Sequence, residues 1–297
     1  LAMINFLLYL MTYAFLKQKG IATGSADYFF LLYPSLILYS SVALREVIIL
    51  ILMVVAVYYF LVDEKMIVAF ILSIPLIFFK AQNFLILMLT FSIYHFFKVN
   101  SIKKKFFLLF VFFFVSYYLK GLVISRFSLP SSGFSVLGVL DNYRNYMYYE
   151  ETRSYTEGYI AITDWLSLTF LALKGFFYML FKPFPWECEN ILQLMQSIEN
   201  IVIIGLICYV NTRSVRLPLI IGKIRSLNLL LLISMSVYGL VVFNFGSAAR
   251  YRFPFMAIYF AYSFYLLKSD KLFGREEKAV WNYSHHIQPT TFPLSDK

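Results

Sequence analysis

The chain has 297 residues, 61% hydrophobic and 20% aromatic, with a mean hydropathy of +0.72 and a net charge of +10. A water-soluble domain does not need so much apolar surface, and continuous apolar blocks without period-two alternation exclude a β-barrel. The lysines and arginines sit between the apolar runs, so anionic lipid and the positive-inside rule account for the charge, and nucleic acid is not an expected partner.

The expected fold is all-α: a polytopic transmembrane helical bundle, a multi-pass protein with the lipid bilayer as its surroundings. Apolar runs fall at about 1–16, 28–44, 47–62, 66–79, 84–97, 106–125, 165–181, 191–210, 227–246 and 253–267. Several are shorter than the roughly 20 residues of a perpendicular span, and Pro34 and Pro75 predict kinks. Leu1 opens directly on an apolar run, so further spans are expected upstream.

Loop charge orients the bundle. One cluster holds Lys98, Lys103, Lys104 and Lys105, a second Arg213, Arg216, Lys223 and Arg225, and a third Lys268, Lys271, Arg275 and Lys278. All three are expected on the cytoplasmic side. The alternation then closes only if 165–181 is interfacial or re-entrant. The expected domain plan is a membrane domain over 1–267, with a large external loop at about 126–190, and a cytoplasmic tail over 268–297. Arg45, Glu46, Lys80, the 126–164 loop, Glu187, Glu189, Arg250 and Arg252 all fall on the non-cytoplasmic face.

Candidate site residues follow in chain order. Tyr33-Pro34-Ser35 opens a helix within an apolar run, and Arg45-Glu46 follows it. Neighbours on a helix do not face each other, so Arg45 and Glu46 need different partners. They serve either chemistry or interface anchoring. Lys80-Ala81-Gln82-Asn83 is either an ordinary turn or a cation, with Gln82 beside it, offered to a lipid-linked phosphate. Asp141, Arg144, Glu150, Glu151, Arg153, Glu157 and Asp164 lie among tyrosines in the external loop. That mixture suits sugars, which have apolar faces and polar rims, and it also suits a merely solvated loop. Lys182-Pro183-Phe184-Pro185-Trp186-Glu187 makes a stiff interfacial corner, with Trp186 and Glu187 as candidate substrate contacts. Glu199 lies in an apolar run and requires a partner or water.

The most informative string is Asn244-Phe245-Gly246-Ser247-Ala248-Ala249-Arg250-Tyr251-Arg252-Phe253-Pro254. Two arginines flank Tyr251 beside a small-residue turn between apolar runs. Arginine near lipid is costly unless paired, and two together point to phosphate or pyrophosphate, the alternative being headgroup anchoring. Other chemistries lack support. Cys188 and Cys208 have neither metal spacing nor a reason to pair. His95, His285 and His286 form no catalytic or zinc pattern, and there is no Walker loop or dinucleotide fingerprint.

Three segments, YPSLILYSSVALRE, KPFPWECENILQLMQSIENIVII and NFGSAARYRFPF, resemble bacterial O-antigen and exopolysaccharide repeat-unit polymerases. More distantly they resemble the multi-span GT-C glycosyltransferases that use lipid-linked donors. The likeness covers roughly residues 28–267, with the family's first spans missing. It implies an enzyme of the bacterial inner (cytoplasmic) membrane acting on polyprenyl-pyrophosphate-linked oligosaccharides at the outer face. A chain-length regulator and a flippase would be further partners. It implies Arg250, Arg252, Arg45 and Glu46 as catalytic residues. Lys80, Gln82, Tyr251, Asp141, Arg144, Trp186 and Glu187 would bind substrate. No cofactor is expected, and with no Asp-x-Asp motif the reaction is expected to need no metal. The alternatives are a transferase moving one sugar from a polyprenyl phosphate and, less favoured, a flippase or transporter. The latter would show internal repeats and midplane charges, which are not evident here.

Overall fold

The computed structural model describes residues 2–42, 45–98, 136–150 and 159–286. Lys103, Lys104, Lys105, the 106–125 run, Arg126, Glu151, Arg153, Glu157 and residues 287–297 lie outside them. Among the described residues every regular element is a helix. The order is α1 (Ala2–Gln18), α2 (Ser25–Leu32), α3 (Pro34–Ser41), α4 (Glu46–Leu61), α5 (Met66–Ser73) and α6 (Leu76–Lys98). Then come α7 (Val136–Glu150), α8 (Trp165–Phe181), a 3-10 turn (Pro185–Glu187), α9 (Ile191–Ser214), α10 (Pro218–Val241) and α11 (Phe245–His286).

Proline and polar caps place most of these boundaries. Pro34 occupies the first turn of α3, where its missing N–H costs nothing, and Tyr33 before it is extended. Pro75 separates α5 from α6, and Pro218 opens α10. Asp164 accepts a hydrogen bond from the Ser167 amide while the Ser167 hydroxyl accepts from the Asp164 amide, a reciprocal cap on α8. Asn190 caps α9 through Gln193 N–H.

Among the described residues three helices, α6, α9 and α10, are long and apolar enough to cross a membrane, with 23, 24 and 24 residues. At about 1.5 Å per residue the unbroken α9 and α10 each reach roughly 35 Å, enough for the ~30 Å hydrocarbon core. The core is built around α11, whose residues 252–263 are buried on every side. A helix apolar all round is one enclosed by others, and α2, α3, α4, α9 and α10 pack against it. Inside this apolar mass, Asn211, Asn228 and Tyr259 satisfy one another across α9, α10 and α11, at 2.6–3.2 Å. Helices α8 and α10 meet at backbone contact. A Cβ on Gly175 would lie 2.6 Å from the Gly239 carbonyl carbon, so only glycine fits there.

Polar side chains collect at the two ends of the bundle. At one end Glu64 bridges Lys98 and Lys223 at 2.7 and 3.0 Å, and Lys17 holds Asp27 at 2.7 Å. At the other, Arg250 meets Glu46 and Arg252 meets Glu199.

Several boundaries differ from the sequence expectations. The string Lys80-Ala81-Gln82-Asn83 holds a break at Lys80 alone (φ −162°, ψ 87°), where two helical pieces of Leu76–Lys98 join at a kink, and Ala81, Gln82 and Asn83 are helical beyond it. Residues 245–252 are helical and not a turn. Asn244 caps them, its side chain accepting Gly246 N–H at 2.8 Å and its carbonyl accepting Ala248 N–H at 2.9 Å. The helix then runs through Pro254, whose ring nitrogen has no hydrogen to give the Arg250 carbonyl. The tail beyond 267 continues as helix to His286, and Lys223 and Arg225 fall inside α10 and not in a loop.

Candidate functional site

The site is assembled where the start of α4, the break in α6 and the first turns of α11 meet. Glu46 opens α4 with its side chain almost wholly enclosed, 2% exposed, against 29% for Arg250. Arg250 donates from Nε to Glu46 Oε1 at 2.6 Å, and its Nη2 lies 2.6 Å from the same oxygen. Glu46 Oε2 is buried without a hydrogen-bond partner. One carboxylate oxygen therefore aims the arginine, and the other retains its lone pairs.

Lys80 supplies the second cation. Its extended backbone turns the side chain out of the helix, and Nζ lies 3.4 Å from the centre of the Tyr251 ring and 4.8 Å from that of Tyr238. The two rings stack 5.1 Å apart, and Arg250 also lies over Tyr251 at 5.3 Å. Tyr251 thus presents its π face to two cations. Tyr238 is anchored in turn by its hydroxyl, which donates to Asn83 Oδ1. Arg45, exposed at the start of α4, is the third cation, and Lys80 lies within Coulombic reach of Glu46, Arg250 and Arg45. Three basic side chains thus gather in the neighbourhood of one carboxylate. Gln82, two residues beyond the break, donates to Tyr143 of α7 at 3.2 Å.

Arg252 goes elsewhere. Successive helical residues are rotated by about 100°, so residues two apart diverge by roughly 200°. Arg252 is 0% exposed, donates to the Met179 carbonyl at 2.8 Å, and faces Glu199 Oε1 at 3.7 Å. Glu199 accepts from the Ser35 amide at 3.0 Å and from its hydroxyl at 2.7 and 2.9 Å, and so caps α3. The partner that Glu199 required is therefore double: an arginine and a helix start. Tyr39 lies between the two ion pairs, within Coulombic reach of all four charged groups, with its ring stacked on Phe253 and its hydroxyl on the Gly246 carbonyl.

The remaining candidates have other work. The Asp141 carboxylate accepts from Tyr159 O–H and Ile162 N–H, both at 2.6 Å. Burial, and then this hydrogen bond, pushes the Tyr159 phenol up. Arg144 donates to the Leu240 and Ile160 carbonyls and lies over Tyr159 and Phe243. Both residues strap α7 across the end of α10. Glu187 pairs with Lys182 at 3.0 Å and accepts Phe184 N–H at 3.1 Å, and Trp186 stacks on Phe184 while 79% exposed. That corner is tied to Asn200 through the Lys182 carbonyl and not to Arg250.

Tyr39 and Tyr238 carry no signal in the sequence, whereas Ser35 lies in the helix-opening string Tyr33-Pro34-Ser35, Asn83 in the polar quartet 80–83, and Glu199 is a carboxylate in an apolar run. An apolar cleft of about 440 Å³ runs beside this group between α2, α3 and α9, walled by Phe29, Leu32, Pro34, Met195 and Ile198, with Tyr33 and Glu199 on its lining. Among the described residues, no group of three or more His, Cys, Asp or Glu side chains is placed to hold a metal ion. Compared with known proteins, the chain matches no family model, no curated protein and no solved structure.

Proposed function

We propose that the chain is a surface-polysaccharide polymerase of the bacterial inner membrane that transfers oligosaccharide repeat units between polyprenyl-pyrophosphate carriers at the outer face. The supporting observation is the cluster of Arg45, Lys80 and Arg250 around Glu46 at one end of the bundle. Such a gathering of basic side chains suits a pyrophosphate. The apolar cleft beside Glu199 suits the carrier's hydrocarbon chain.

In the proposed reaction an acceptor hydroxyl attacks the anomeric carbon of the growing chain. The new C–O bond forms as the bond to pyrophosphate breaks, and the electron pair leaves on the lipid pyrophosphate. Arg250, Lys80 and Arg45 bind that leaving group and stabilise its growing charge. Glu46 Oε1 holds Arg250 in place, and Oε2 is available to take the hydroxyl proton. Arg252 is a positioning residue: it locks α11 to α8 and α9.

The test is the polysaccharide ladder of a deletion strain complemented with Arg250→Ala, Lys80→Ala or Arg45→Ala. Loss of one such donor costs about 10²–10³ in rate, so the Arg250 variant should leave single repeat units with little polymer. Wild-type-length polymer from all three variants would remove the proposed role. An incomplete repeat unit in the deletion strain would favour the single-sugar transferase instead.

A further inference from the structure

The opposite end of the bundle carries a second cavity, independent of the pyrophosphate site. The α1–α2 connection, the α9–α10 corner and the α11 segment around Lys268 enclose about 410 Å³. Its polar lining is Thr23, Gly24, Ser25, Arg213, Arg216 and Lys268, with Leu217 and Phe264 among its apolar walls.

The charge balance here is one-sided. Lys17, Lys65, Lys98 and Lys223, at the same end, each hold a carboxylate of Asp27, Asp63 or Glu64. Arg213, Arg216 and Lys268 have no such partner among the described residues, and no carboxylate lines the cavity. Three solvent-exposed cations from two separate segments thus border one concave space, where no acidic side chain offsets them. A dispersed set of interfacial anchors would not need to share a cavity.

A second observation comes from Thr23. Its Oγ1 is buried with no hydrogen-bond partner, and the residue lines the cavity. A buried hydroxyl without a partner is costly, and rotation about χ1 that turns it to an oxyanion in the cavity would relieve it. Gly24, at φ +59°, turns the chain so that α2 starts at the cavity without a side-chain cap. The first N–H groups of that helix add partial positive charge on the same side.

We infer that this cavity binds a phosphate group, presented either as an anionic lipid headgroup or as free phosphate. Arg213 and Arg216 offer the planar forks that match phosphate oxygens, Lys268 a point charge and Thr23 a hydroxyl. The apolar walls favour a ligand with a hydrocarbon portion.

The experiment uses the full chain purified in zwitterionic detergent. Dihexanoyl-phosphatidylglycerol, inorganic phosphate and dihexanoyl-phosphatidylcholine are titrated separately, with thermal stabilisation and native mass spectrometry as readouts. Each charged hydrogen bond removed weakens binding by about tenfold. The variant Arg213→Gln/Arg216→Gln/Lys268→Gln should therefore lose the stabilisation seen with wild type. Arg225→Gln, a basic residue at the same end but off the cavity, should keep it. Thr23→Val, with every charge in place, should weaken binding several-fold and decides the matter if the triple variant does not fold. Saturable binding of phosphatidylglycerol alone identifies the headgroup, and binding of inorganic phosphate as well identifies the phosphate itself. Binding unchanged in the triple and Thr23 variants, equal loss in Arg225→Gln, equal binding of phosphatidylcholine, or no binding overturns the inference.

Discussion

Replacing Glu199 by alanine should be among the most damaging single changes available to this bundle. Arg252 is 0% exposed, and its Nε and Nη2 already lack hydrogen-bond partners. Without the carboxylate 3.7 Å away, the guanidinium keeps only the carbonyl oxygens of Met179 and Leu180. Removing one partner of a buried ion pair costs about 3–5 kcal/mol. The Ser35 amide and hydroxyl also lose their acceptor, which uncaps α3. At about 2–4 °C per kcal/mol for a chain of this order of size, the melting temperature in detergent should fall by roughly 6–20 °C. The informative comparison is Glu199→Leu/Arg252→Met. Well-packed apolar replacements of a buried pair are often neutral or stabilising, so the double variant should recover most of the loss. Fluorescence-detected gel filtration after heating reads both. A fall under about 2 °C for Glu199→Ala, or a double variant as damaged as the sum of its singles, would refute the assignment of this pair as a buried lock.

Two other outcomes are expected. Gly175→Ala drives a Cβ into the Gly239 backbone and should cost about 1–3 kcal/mol or more. Gly205→Ala, in α9 with nothing within 4 Å of its added Cβ, should be neutral or stabilising in the same melting assay, and equal losses at the two sites would contradict the close contact. The Glu64 carboxyl is held below the usual carboxylate range by its hydrogen bond to Lys98 and then by that to Lys223. A depressed carboxylate stabilises the fold above its unfolded value, here 4.5, and loses that contribution as pH falls through the lower folded value. Glu64 is 48% exposed, so the pair is worth only about 0.2–1 kcal/mol and is weakened by salt. Glu64→Gln should lower the melting temperature slightly at pH 7 in low salt, the effect should shrink as pH falls below 4.5, and a shift that does not change with pH would exclude the bridge.

The features legible in the sequence were those set by local chemistry. Pro34 and Pro75 marked helix breaks because a ring without an N–H is disfavoured mid-helix, and both lie at element boundaries, whereas Pro254 is carried inside α11. Glu199 was marked as needing a partner because a carboxylate in apolar surroundings always does. Its partner was not legible, since Arg252 lies 53 residues further on and only packing joins them. Lys80 was half legible: the polar quartet signalled a break, but one residue leaves the helix and the other three remain in it. Arg250 and Arg252 looked equivalent on paper. The small residues before them read as a turn, whereas Gly246, Ser247, Ala248 and Ala249 follow a capping asparagine and wind into helix. Winding is what separates the two arginines, and adjacency in a string carries no azimuth.

That separation sets how Arg250 would meet an anion. With Arg252 fastened inside the bundle to α8 and α9, the helix carrying both arginines cannot swivel about its own axis without tearing a charge from its counter-charge. The outward arginine is therefore indexed like a clock hand, its bearing fixed when the chain folds and not when an anion arrives. An anion reaching it would find a receptor that needs no rearrangement, and its affinity would respond to ionic strength far more than to the flexibility of the surrounding helices.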